Sequence, residues 1–145
     1  MKLCRLLLCF VFIAAALTAL AAAETDKEVE ARKVALDLAG AFSNDGFKMR
    51  DGHWTGAITP GEQAVVAVNL YAGNQYWFSV GTSARAKNLN VRVYDENGKA
   101  LESETYEDEE KAAAGFSPTT SGQYYVGIGP VEGEPSTFCL VYSYK

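Results

Sequence analysis

Two periodicities divide the chain. Between residues 25 and 42 the only Gly or Pro is Gly40, and Ala31, Ala35, Leu38 and Phe42 recur at helical spacing beside Val34 and Leu36. This pattern predicts an amphipathic helix, closed by Gly40 and the Ser43-Asn44-Asp45-Gly46 cluster. From His53 onward the period changes to two, in short segments rich in Val, Tyr, Phe and Thr. Strands are predicted over residues 53–58, 63–70, 75–80, 89–94, 100–106, 111–116, 123–128 and 137–144.

The reversals between these segments are written in turn chemistry: Thr59-Pro60-Gly61, Ala72-Gly73-Asn74, Asp95-Glu96-Asn97-Gly98 and Thr120-Ser121-Gly122. Within the strands, Tyr76/Phe78/Val80, Leu89/Val91/Val93 and Tyr124/Val126/Ile128 each put an apolar row on one face. About eight short strands without βαβ alternation imply an all-β fold, an antiparallel β-sandwich of jelly-roll-like form with one N-terminal amphipathic helix. No internal repeat or low-complexity tract interrupts it.

Residues 6–23 break the pattern, being apolar apart from Thr18, preceded by Lys2 and Arg5 and ended by Ala21-Ala22-Ala23. A basic start, an apolar centre and a small-x-small end read as a signal peptide, and so as a secreted or periplasmic protein. A retained membrane anchor is the competing reading, since the run approaches the roughly 20 residues that a spanning helix needs. The organisation expected is a signal peptide over 1–23, a helix and linker over 24–46, and the β-sandwich over 47–145, with no membrane span after cleavage.

Composition adds two exclusions. Removing residues 1–23 takes away Lys2 and Arg5 and moves the formal net charge from −5 to −7. The densest charge cluster, Glu102, Glu104, Glu107, Asp108, Glu109 and Glu110, is acidic, which argues against nucleic acid as a partner. Cys139 is the one cysteine beyond the leader, so stability is expected to come from a core and not from disulfides.

Three segments carry a resemblance. They are residues 70–80 (Leu-Tyr-Ala-Gly-Asn-Gln-Tyr-Trp-Phe-Ser-Val), residues 89–98 (Leu-Asn-Val-Arg-Val-Tyr-Asp-Glu-Asn-Gly) and residues 116–126 (Phe-Ser-Pro-Thr-Thr-Ser-Gly-Gln-Tyr-Tyr-Val). In order and spacing this set resembles the bacterial pre-peptidase C-terminal domain, over about residues 63–144. The resemblance implies a secreted β-sandwich of the kind found beside exported enzymes, some of which bind calcium or extracellular polymers. The family usually accompanies a catalytic domain, and this chain shows none.

The chemistry available is limited. His53 is the only histidine, and Cys139 lies in an alternating strand where a buried thiol is the plainer expectation. No G-x-S-x-G, H-E-x-x-H or P-loop motif is present, and no carboxylate pair is singled out for hydrolysis. The chain is therefore read as not an enzyme. Asp95 and Asn97 are candidate ligands of a structural calcium ion, with an ordinary Asn-Gly hairpin as the alternative.

Strand alternation supplies the functional lead, because it sends Trp77, Tyr94 and Tyr125 outward while their neighbours point in. Exposed rings stack on sugars or anchor protein contacts, unless the N-terminal helix covers them. The function expected is a non-catalytic binding or interaction module for an extracellular polymer, such as a polysaccharide, or for an exported protein. The alternatives are a structural or accessory subunit of an exported assembly and a small hydrolase using a carboxylate pair.

Overall fold

A computed structural model describes residues 24–145, so the expected leader lies outside the described residues. One helix, α1 (Asp26–Ser43), precedes nine strands: β1 (Lys48–Met49), β2 (Trp54–Ile58), β3 (Ala64–Leu70), β4 (Tyr76–Thr82), β5 (Val91–Tyr94), β6 (Glu104–Glu107), β7 (Lys111–Phe116), β8 (Gly122–Ile128) and β9 (Ser136–Tyr144). Among the described residues no helix is long and apolar enough to cross a membrane.

The helix starts at a capping box. Thr25 Oγ1 accepts from the Glu28 N–H (3.2 Å), and the Glu28 carboxylate accepts from the Thr25 N–H (2.7 Å). These bonds, the backbone one foremost, hold the Glu28 carboxyl below the usual carboxylate range.

The strands form two antiparallel sheets. The larger has the order β1-β9-β4-β7-β6, with β2 also on β9, and the smaller is β3-β8-β5. Successive strands from β2 to β5 alternate between the sheets, giving the interleaved order of a jelly roll. The segment expected as one strand over residues 100–106 is divided between the two. Ala100 bridges Tyr94 of β5, whereas Glu104–Glu107 pairs with β7 across the sandwich. The chain changes sheet there, at Leu101–Ser103, because its charged run has no apolar row to keep it on the small sheet.

The short strand β1 is the ninth, beyond the eight expected. Two residues are too few to show a period, and its pairing with Ser143 and Tyr144 is set by β9.

The predicted inward rows meet between the sheets. Phe78, Val80, Val91, Val93, Val126, Ile128 and Leu140 are fully buried there, joined by Leu70, Leu89 and Ile58. A second, smaller cluster lies outside the large sheet, where Ala31, Ala35 and Ala39 of α1 pack on Cys139 and Val141 of β9. Small side chains allow a close approach. At Gly81 of β4 a Cβ would fall 2.4 Å from both the Ala31 carbonyl oxygen and the Ala35 nitrogen, so the helix backbone rests directly on the strand. Ser79 and Ser143 are buried with hydroxyls that find no hydrogen-bond partner among the described residues.

Candidate functional site

The residues singled out by alternation divide between opposite sides of the molecule. Trp77 points outward from β4 but lies beneath the end of α1, its ring stacked on Phe42 with centroids 4.2 Å apart and planes within 7°. Its other neighbour is Gly115 of β7, where a Cβ would come within 2.9 Å of the indole. Trp77 therefore shares no face with the other two rings. The alternation put it on the correct side of its strand, and the helix covers that side.

Tyr94 and Tyr125 are cross-strand partners on the outer side of the small sheet, which no helix covers among the described residues. Both are half-buried. The Tyr94 ring lies across Gly127, and its hydroxyl accepts from Gln63 Nε2 (2.9 Å). The Tyr125 hydroxyl donates to Gln123 at 3.4 Å. Neither ring stacks on another among the described residues.

Asp95 closes its hairpin. One carboxylate oxygen accepts from the N–H groups of Asn97 and Lys99, both at 2.9 Å, and Gly98 takes the left-handed conformation (φ 78°). Among the described residues no three His, Cys, Asp or Glu side chains gather as a metal-ligand group.

One concavity was not anticipated. It is a cavity of about 470 Å³ at the open end of the sandwich, between the free edge of β3 and the rim of the large sheet. Its lining comprises Arg50, Trp54, Ala67, Val68, Asn69, Tyr71, Asn74, Tyr76, Tyr142 and Tyr144. A break in the sheet edge creates it. Strands β1 and β2 both pair with β9 and behave as two halves of one edge strand, interrupted between Arg50 and His53. Gly52 supplies the left-handed residue this detour needs (φ 94°), while the Arg50 N–H still donates to the Tyr142 carbonyl (3.0 Å).

The detour brings Arg50 and Trp54 over the end of β9. Trp54 stacks on Tyr142 with centroids 5.7 Å apart, and the Arg50 guanidinium lies over both rings, 5.7 Å and 5.2 Å from their centroids. Tyr142 in turn meets Tyr76 edge-on at 6.0 Å. Burial pushes the Tyr142 phenol up, with the Arg50 cation pulling the other way. The Tyr76 hydroxyl accepts from the Tyr71 N–H (2.9 Å) and Asn74 Nδ2 (3.1 Å), which fixes the loop between β3 and β4 at the cavity mouth. Tyr71, 65% exposed, and Tyr144, 38% exposed, present open ring surface there.

The remaining reactive groups lie elsewhere. Cys139 is fully buried under α1, and burial raises its thiol from 9.0 to about 11, the opposite of an activated nucleophile. His53 lies 3.8 Å from Glu24, and no hydrogen bond joins it to Cys139 among the described residues. A second, more open depression, where the chain crosses between sheets, holds Glu102 and Glu104 beside Arg92 and Phe116.

In comparisons with known proteins, no protein-family model matches the chain and no curated protein matches it.

Proposed function

We propose that the chain is a non-catalytic binding module, working in a secreted or periplasmic setting, whose aromatic cavity takes a sugar of an extracellular polysaccharide. The cavity lining carries the reading. It combines five aromatic side chains with the amides of Asn69 and Asn74, and it contains no carboxylate. Apolar ring faces with a few convergent polar groups are what a sugar needs, its C–H face lying on a ring and its hydroxyls meeting amides. Hydrolysis of a glycosidic bond normally uses two carboxylates flanking that bond, so this lining favours holding a saccharide over cleaving it.

The signal-peptide pattern of residues 1–23 supports export, and the resemblance to the pre-peptidase C-terminal domain supports a module that accompanies exported enzymes. The face of Tyr94 and Tyr125 is the second candidate surface, for an exported protein partner.

The test is a binding survey over neutral and acidic polysaccharides with the Tyr71→Ala variant beside the original protein. Tyr71 is exposed, so its truncation is expected to leave stability within about 0.5 kcal/mol. Affinity is expected to fall roughly tenfold, the size of a ring contact at a binding surface. Binding that survives Tyr71→Ala unchanged moves the site to Tyr94 and Tyr125. Failure of every saccharide to bind leaves a structural or accessory subunit as the better reading.

A further inference from the structure

The cavity carries one charge, and its sign is unusual for this protein. Eighteen Asp and Glu residues give the chain an acidic balance, yet none lines the cavity, where Arg50 is the only ionisable group besides tyrosines among the described residues. The four arginines among the described residues also divide unevenly. Arg32 pairs with Glu24 at 3.0 Å, Arg85 with Glu109 at 3.2 Å, and Arg92 with Glu107 at 4.0 Å. Arg50 has no carboxylate within ion-pair distance among the described residues and lies over Trp54 and Tyr142 instead.

We propose that the cavity selects an acidic sugar, with the anionic oxygens of a uronate carboxylate or a sulfate ester received by the Arg50 guanidinium. The inference rests on the reading of the cavity as a saccharide site and adds the charge of its ligand. A guanidinium carries its N–H donors in its own plane, so contact with ring faces leaves donors for a planar or tetrahedral anion. Trp54 and Tyr142 hold the cation in place, which lowers the entropy lost when an anion binds. Tyr71 and Tyr144 at the mouth meet the sugar ring, and Asn69 offers an amide to its hydroxyls.

The deciding experiment compares a galacturonic acid tetramer with its fully methyl-esterified form, which has the same rings without the charge. A sulfated galactose tetramer and an uncharged galactose tetramer complete the set. Calorimetric titration of the protein is expected to show the acidic tetramers binding at least about tenfold more tightly than their neutral counterparts, as charge-assisted hydrogen bonds require. The advantage is expected to shrink as salt rises from about 0.05 M to about 0.5 M. The uronate and sulfate arms show which anion is preferred. Arg50→Gln is expected to abolish the advantage of the acidic tetramers over the neutral ones, and Arg50→Lys to keep part of it.

Equal affinity for the acid and its methyl ester, at every salt concentration, would overturn the inference and leave the saccharide reading intact. That comparison uses the unaltered protein and holds even if Arg50→Gln fails to fold. No binding of any tetramer would overturn both readings. Tighter binding of polyglutamate than of any saccharide would reassign the cavity to an acidic peptide and also overturn the inference.

Discussion

The protein's two tryptophans each lie in a stacked aromatic pair, and the surroundings of the pairs differ. Trp77 is stacked on Phe42, with α1 covering its side of the large sheet. Trp54 is stacked on Tyr142 at the rim of a cavity, with a cation above it and open rings on either side of the mouth. The first pair has its ligand built in, a helix of the same chain. The second has none within the described residues. Strand alternation tells which side of a sheet a ring occupies, and only tertiary packing tells what lies over that side.

The two rings are expected to fail differently when truncated. Trp77→Ala is expected to lower stability by about 3–4 kcal/mol, in the range for a packed aromatic, with saccharide affinity unchanged. Urea denaturation beside a binding titration reads both. Lost affinity in this variant with stability preserved would invert the comparison.

The thiol beneath α1 sharpens the contrast through pH. Its folded-state value is raised from 9.0 to about 11 by burial, so the thiol is protonated in both folded and unfolded chains below pH 9. Between pH 9 and about 11 the unfolded chain releases the proton first, and stability is expected to fall by roughly 2–3 kcal/mol at most. Subtracting the denaturation profile of Cys139→Ala isolates this contribution, because the tyrosines titrate in both proteins. Native protein is expected to resist thiol reagents until it is unfolded.

A smaller change tests how closely the helix is seated. Gly81→Ala places a methyl group 2.4 Å from backbone atoms of α1, which forces the helix outward and is expected to cost about 2 kcal/mol. Emission from Trp77 should shift while the cavity retains its affinity. A neutral Gly81→Ala would mean that the helix is loosely docked and that the Trp77 side is open after all.

Much of the sandwich was legible because its information is local. Tyr76/Phe78/Val80 and Leu89/Val91/Val93 show their inward faces by alternation, and the Asn97-Gly98 turn announces its hairpin. The helix stripe was legible too, although Leu36 points out and Ala39 points in, since burial follows the docking angle and not the idealised spiral. The cavity was not legible. Arg50 with Trp54, then Tyr71, then Tyr142 come from three segments far apart in the chain, and they meet only through the register that sets Trp54 opposite Leu140 and the Arg50 N–H against Tyr142. The signal available was the Asp51-Gly52 interruption just before a strand that opens on tryptophan, flanked by a cation. Its importance depends on which strand lies alongside, and a single sequence does not state that.

The same interruption bears on how the protein keeps to itself. An unbroken edge from Lys48 to Ile58 would offer about eleven residues of unpaired backbone, a template on which another chain could add a strand. Divided into pieces of two and five residues, with Lys48 and Arg50 along it, that edge loses the regular hydrogen-bond ladder that templating needs. The opposite edge, β6, is short and flanked by Glu104 and Glu107. The break that shapes the cavity thus also guards the large sheet against edge-to-edge aggregation.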